Sequence, residues 1–105
     1  MAETNVHSEV EITYAEEGSK GRFAARVAGI EAEAELVIRK VSPEEVIAVH
    51  TIVPDALGGR GIAKQLALAL IADARAKGHK IIPQCPFVKA YAQKHKQDLA
   101  DVIQW

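Results

Sequence analysis

The stretch "VPDALGGRGIAKQL", Val53 to Leu66, crowds Gly58, Gly59 and Gly61 around Arg60 immediately before apolar residues at helical spacing. Glycines permit sharp turns with positive φ and let another backbone or a ligand come close, while the first amides of a helix have no partner inside it. Such a place suits an anion; a flexible turn uses the same residues. Close by in sequence stands His50, an imidazole able to accept a proton near neutral pH or to serve as a hydrogen-bonded, half-buried side chain. Cys85 is the single cysteine. It cannot form an intramolecular disulfide, which agrees with a reducing compartment and leaves a thiol to be explained.

Named phosphate motifs do not account for the glycines. A Walker loop ends in Gly-Lys-Ser/Thr so that the Lys reaches phosphate and the hydroxyl holds magnesium, whereas this chain has Ala63, Lys64 and Gln65. A dinucleotide fingerprint needs a small residue where Lys64 stands.

The elements that must position these residues follow from periodicity. Val10, Ile12 and Tyr14 alternate, Glu17 to Gly21 punctuate, and Phe23 opens a second alternating run, so strand, turn, strand is expected. After Gly29, Glu31, Glu33 and Glu35 alternate with Ala32, Ala34 and Leu36 as in a half-exposed strand. "SPEE", Ser42 to Glu45, resembles a helix start, but the β-branched "VIAVHTIV" follows, so a turn and a fourth strand ending near Pro54 are expected. From Gly61 to Lys77 the apolar positions Ile62, Ala63, Leu66, Leu70, Ile71 and Ala74 define an amphipathic helix, stopped by Gly78. A short strand over Ile81 to Cys85 and a second helix from near Phe87 complete the order. The fold class predicted is α+β.

The 105 residues predict one domain, 1–105, with about 1–8 and 98–105 as flexible ends. Hydrophobic residues make up 49% and charged residues 26%, the balance of a chain that folds alone. A formal net charge of -1 gives no global field for nucleic acid or an anionic membrane, so any phosphate site must be local. No basic region followed by an apolar stretch occurs from Met1 to Glu17, and no charge-free run is long enough to span a bilayer. A cytoplasmic location is the expectation. Spacing among His7, His50, His79 and His95 offers no metal site.

Gly58-Gly59-Arg60-Gly61-Ile62-Ala63 resembles the Arg/Gln-x-x-Gly-x-Gly/Ala pattern of the GNAT superfamily of N-acetyltransferases, with Gly58 in place of the first Arg/Gln. "HTIVPDALGGRGIA" followed by "KIIPQCPFVKAYAQKHK" closely resembles the small, single-domain GNAT-like group, over about Glu9 to Lys96. One departure is Lys96 after His95, where that group usually has Pro.

The resemblance implies a minimal GNAT fold: a twisted, mixed, mainly antiparallel sheet with two main helices. It implies binding of acetyl-CoA, no metal, and acetyl transfer to an unidentified amine; the alternative is a non-catalytic acyl-CoA-binding or protein-interaction module. The pyrophosphate would rest on amides from Leu57 through Gly58, Gly59, Arg60, Gly61 and Ile62 to Ala63, with the pantetheine arm along His50, Thr51, Ile52 and Val53. His50 then becomes a candidate general base. Cys85 either takes the acetyl group or lines its pocket. Tyr91 falls near where many GNAT enzymes place a tyrosine that protonates the departing thiolate, and core packing is its other role. A chain of this size implies an open acceptor cleft, favouring an amine on a protein or peptide.

The remaining charges read as surface. Glu31, Glu33 and Glu35 suggest a solvated strand face, and Lys89, Lys94, His95 and Lys96 a solvent face or a contact for the 3′-phosphate of CoA. Aromatic residues are only 5% of the chain, too few for a ladder that would stack single-stranded nucleic acid.

Overall fold

The computed structural model describes residues 10–105. Five strands form one sheet in the order β1-β2-β3-β4-β5: β1 is Val10–Glu17, β2 Lys20–Val27, β3 Glu33–Ser42, β4 Glu45–Ile52 and β5 Lys80–Pro83. The first four pair antiparallel through short turns, and β5 joins β4 parallel. A parallel neighbour requires a crossover, which the α1 helix, Ile62–Lys77, supplies. The second helix, α2, is Pro86–Lys94. This is the α+β, mixed and mainly antiparallel architecture expected.

Alternation explains which face is buried. Phe23, Ala25 and Val27 of β2, Ala34, Leu36 and Ile38 of β3, and Val46 and Ala48 of β4 all enter one core. Against them α1 lays Leu66, Leu70, Ile71 and Ala74, spaced to share one stripe of the helix, and α2 adds Val88 and Ala92. Both helices therefore cover the same face of the sheet. The opposite face carries Arg22, Glu33 and Glu35.

Two expectations change. The last strand stops at Pro83 rather than reaching Cys85, because Pro83 supplies no further donor and Pro86 starts a helix at its first turn. Cys85 thus precedes α2 as its N-cap residue. The end of the chain, expected as flexible, packs instead: Leu99, Val102 and Ile103 are buried, and Ile81 exchanges backbone bonds with Val102 and Gln104 at 2.7 and 2.8 Å. Apolar spacing there is too short to register as a helix or strand, yet it closes the open edge of β5. The other end, about 1–8, lies outside the described residues.

Candidate active site

Pairing of β4 with β5 runs only from Glu45↔Lys80 to Ala48↔Pro83, after which β4 continues alone toward Ile52. The last tie is a bond from the Cys85 amide to the Ala48 carbonyl, 2.8 Å. Beyond it β5 has ended, so among the described residues no strand pairs with this edge of β4 from Val49 onward, and this gap in the pairing leaves main-chain groups that an extended ligand could bond.

A bulge decides which side chains border this gap. Ile38 pairs with Ala48 but Val37 pairs with His50, so β4 contains one extra residue, Val49. Without it, His50 would continue the inward phase of Val46 and Ala48. With it, Thr51 turns to the helix side and meets Cys85, Oγ1 to Sγ 3.1 Å, while His50 turns to the opposite face. Cys85 is 1% exposed. His50 is half exposed, with Nε2 3.0 Å from Oε2 of Glu35.

Glu35 belongs to a network. Arg22 donates from Nε to Glu35 Oε1 and from Nη2 to Glu33 Oε1, both at 2.6 Å, and Arg26 reaches Glu33 Oε2 at 3.4 Å. Arg22 first, then His50, holds the Glu35 carboxyl below the usual carboxylate range, and Arg22 does the same for Glu33. Of the carboxylates read from sequence as a solvated face, Glu33 and Glu35 are therefore partnered, while Glu31 lies before β3. Alternation placed them together, but no sequence signal joined them to His50, whose neighbour is set by the bulge.

At the end of β4 the chain makes a single 3₁₀ turn, Asp55–Leu57, before α1. Leu57 is fully buried and its amide bonds to the Pro54 carbonyl at 2.9 Å; the Gly58 amide bonds to Asp55 at 3.0 Å. The Leu57 and Gly58 amides, two of those expected to hold phosphate, are thus bonded within the turn itself. Gly61 caps α1 in the left-handed region, φ 70°, as does Gly59 at 75°, and the first bond back into the helix start runs from Gln65 to Gly61. The amides of Ile62, Ala63 and Lys64 precede that bond and have no main-chain acceptor among the described residues. No side chain caps this end and its first turn contains no acidic residue, while Arg75 and Lys77 occupy the last turn. The positive end of the dipole is left for an anion, which fits a diphosphate.

Tyr91 lies on α2 in a cavity of about 310 Å³ lined by Lys64, Phe87, Ala90, Lys94 and His95, between α2 and the first turn of α1. Its ring packs on His95, centroids 4.4 Å apart. Among the described residues no hydrogen bond joins it to Cys85 or His50. The three candidate side chains are thus distributed: Cys85 beneath the gap, Tyr91 toward the helix start, and His50 on the other side of the sheet. A groove of about 740 Å³ lies along the far edge, lined by Val10, Glu11, Arg26 and the β2–β3 turn, away from this apparatus. No group of three or more His, Cys, Asp or Glu that could hold a metal occurs among the described residues. No described helix is long and apolar enough to cross a membrane.

The fold is thus a mixed five-stranded sheet whose parallel pair is short and whose crossover helix starts without a side-chain cap. The family model described as GCN5-related N-acetyl-transferase matches residues 22–102, and the chain belongs to that family. It is similar to the solution NMR structure of a GCN5-like putative N-acetyltransferase from Staphylococcus aureus, at 34% identity and a TM-score of 0.68, over 92% of this chain and 90% of that one. A search of curated proteins finds no match.

Proposed function

We propose that the protein binds acetyl-CoA in the gap between β4 and β5 and transfers the acetyl group to an amine. The observation that carries this reading is the end of β4–β5 pairing at Ala48↔Pro83, together with the uncapped start of α1, which follows β4 in the chain. The diphosphate would sit on the amides of Ile62, Ala63 and Lys64, aided by the dipole and by Arg60, and the pantetheine arm would lie along the free edge of His50, Thr51, Ile52 and Val53. The acetyl group then comes to rest near Cys85 and Thr51.

Amide formation needs a neutral amine, an acceptor for its proton and a route for the departing thiolate. His50, half exposed on the opposite face of β4, is the acceptor in this reading. Tyr91 donates to the thiolate from the helix side, and Cys85 lines the acetyl pocket. An amine carried by a protein or peptide is the favoured acceptor class, since His50 is half exposed on the sheet face opposite the helices.

The test is acetyl-CoA turnover against a broad panel of amines, with direct CoA binding measured in parallel. Turnover with at least one amine supports the proposal. Binding without turnover favours a non-catalytic acyl-CoA-binding module, and absence of both removes the reading.

A further inference from the structure

We propose that Glu35 is a positioning residue that holds His50 as its Nε2–H tautomer, leaving Nδ1 as the atom that accepts a proton. The argument is one of donors and acceptors. Arg22 donates to Oε1 of Glu35 at 2.6 Å, so that oxygen is committed to a cation. Oε2 is left to face His50 Nε2 at 3.0 Å. An ionised carboxylate only accepts, so the imidazole nitrogen opposite it must carry hydrogen. The proton cannot reside on the carboxyl instead, because Arg22, and then His50, holds Glu35 below the usual carboxylate range.

The charges around His50 alternate in sign. Arg26 meets Glu33, Glu33 meets Arg22, Arg22 meets Glu35 and Glu35 meets the imidazole. Two guanidinium groups from β2 balance two carboxylates from β3, so the array is neutral when His50 is neutral. Thr51, the next residue on β4, faces the other way toward Cys85 and presents no charge. Arg22 therefore acts at one remove: it keeps Glu35 ionised and oriented, and Glu35 sets the ring.

For the proton's destination this rests on the acetyl-transfer reading. The amine nitrogen forms its bond to the acetyl carbon, the carbon–sulfur bond breaks with its electron pair leaving on sulfur, and the amine proton passes to Nδ1. The imidazolium, half exposed, returns that proton to solvent.

The tautomer is read directly from long-range ¹H–¹⁵N correlation spectra of the whole protein labelled at histidine, recorded in alkaline buffer where an imidazole is neutral. Protonated Nε2 and bare Nδ1 are expected. Glu35→Gln has one acceptor oxygen, which Arg22 claims, so its amide NH₂ faces His50 and the tautomer should switch to Nδ1–H. Glu35→Asp should retain the wild-type tautomer. In turnover, Glu35→Gln should lose on the order of 10²-fold in kcat/KM, and add no loss in a His50→Gln background.

Finding Nδ1–H in the wild type overturns the proposal without any variant, as does an unchanged tautomer in folded Glu35→Gln. A wild-type chain with the Nε2–H tautomer that turns over no amine supports the Glu35 constraint and removes the transferase reading, so the two failures are distinguishable.

Discussion

Thr51 and Cys85 meet at 3.1 Å, hydroxyl to thiol, just beyond the end of the β4–β5 pairing. Neither would face the other without the extra residue Val49, which rotates Thr51 toward the helices. The contact ties the strand edge proposed to carry the pantetheine arm to the residue proposed to line the acetyl group.

If Cys85 lines the pocket, Cys85→Ala should retain turnover while losing on the order of 1 kcal/mol of stability from the small void left in a buried site. Intact-mass analysis after incubation with acetyl-CoA should then show no acetyl adduct. A stable adduct in the wild type that disappears in Cys85→Ala would assign the thiol a covalent role instead.

Gly61 and Gly78 both adopt left-handed backbone at the two ends of α1, φ 70° and 74°, and a Cβ at either would meet nothing within 4 Å. Alanine should therefore cost about 1 to 2 kcal/mol at each through backbone strain alone. Gly61→Glu adds negative charge beside the amides of Ile62 and Ala63 and should weaken CoA binding by at least about tenfold, roughly 1.4 kcal/mol. Calorimetry with Gly78→Ala as the control separates the effects, since that variant should lose stability and keep its affinity.

His50→Gln should lower kcat/KM by on the order of 10²-fold or more and remove an ionisation from the pH profile of kcat/KM. Tyr91→Phe should lower kcat with CoA affinity nearly intact, because only the hydroxyl is lost from the cavity shared with Lys64 and His95. Unchanged pH profiles and turnover in both variants would leave the proton to water and backbone.

Glu33 and Glu35 release their protons more readily in the folded chain than in the unfolded one, because Arg22 bonds to both. Their stabilisation is complete above the ordinary carboxylate range and is lost as pH falls through the depressed folded values. Arg22→Met should flatten this acid limb, visible as a smaller fall in the urea midpoint between about pH 7 and about pH 3. An equally steep fall in the variant would place the acid sensitivity elsewhere, as at Asp101, which Arg75 holds low.

Ile103 is 5% exposed and forms a bridge with Ile81 beside β5. Ile103→Ala should cost about 2 to 4 kcal/mol, measured by denaturant unfolding. A loss near zero would mean that the end of the chain contributes little to closing that edge.

Local pattern was enough for much of this protein. Alternation at Val10, Ile12 and Tyr14, the helical stripe from Ile62 to Ala74 and the glycines before it specify four strands, a helix, a strand and a helix, because each depends on neighbours a few residues away. The glycine loop was legible for the same reason. Tertiary structure alone decided the faces and partners. One bulged residue, Val49, reverses the phase of β4, sending His50 to Glu35 and Thr51 to Cys85, and a period-2 pattern cannot reveal a one-residue slip that only pairing with β3 imposes. The capture of Glu33 and Glu35 by Arg22 depends likewise on register between strands. The Leu57 and Gly58 amides are spent in a turn closed by Pro54 and Asp55, and the chain end packs on Ile81, a contact between segments distant in sequence. Periodicity records what a residue prefers near itself; hydrogen-bond partners across a sheet exist only once the chain has closed.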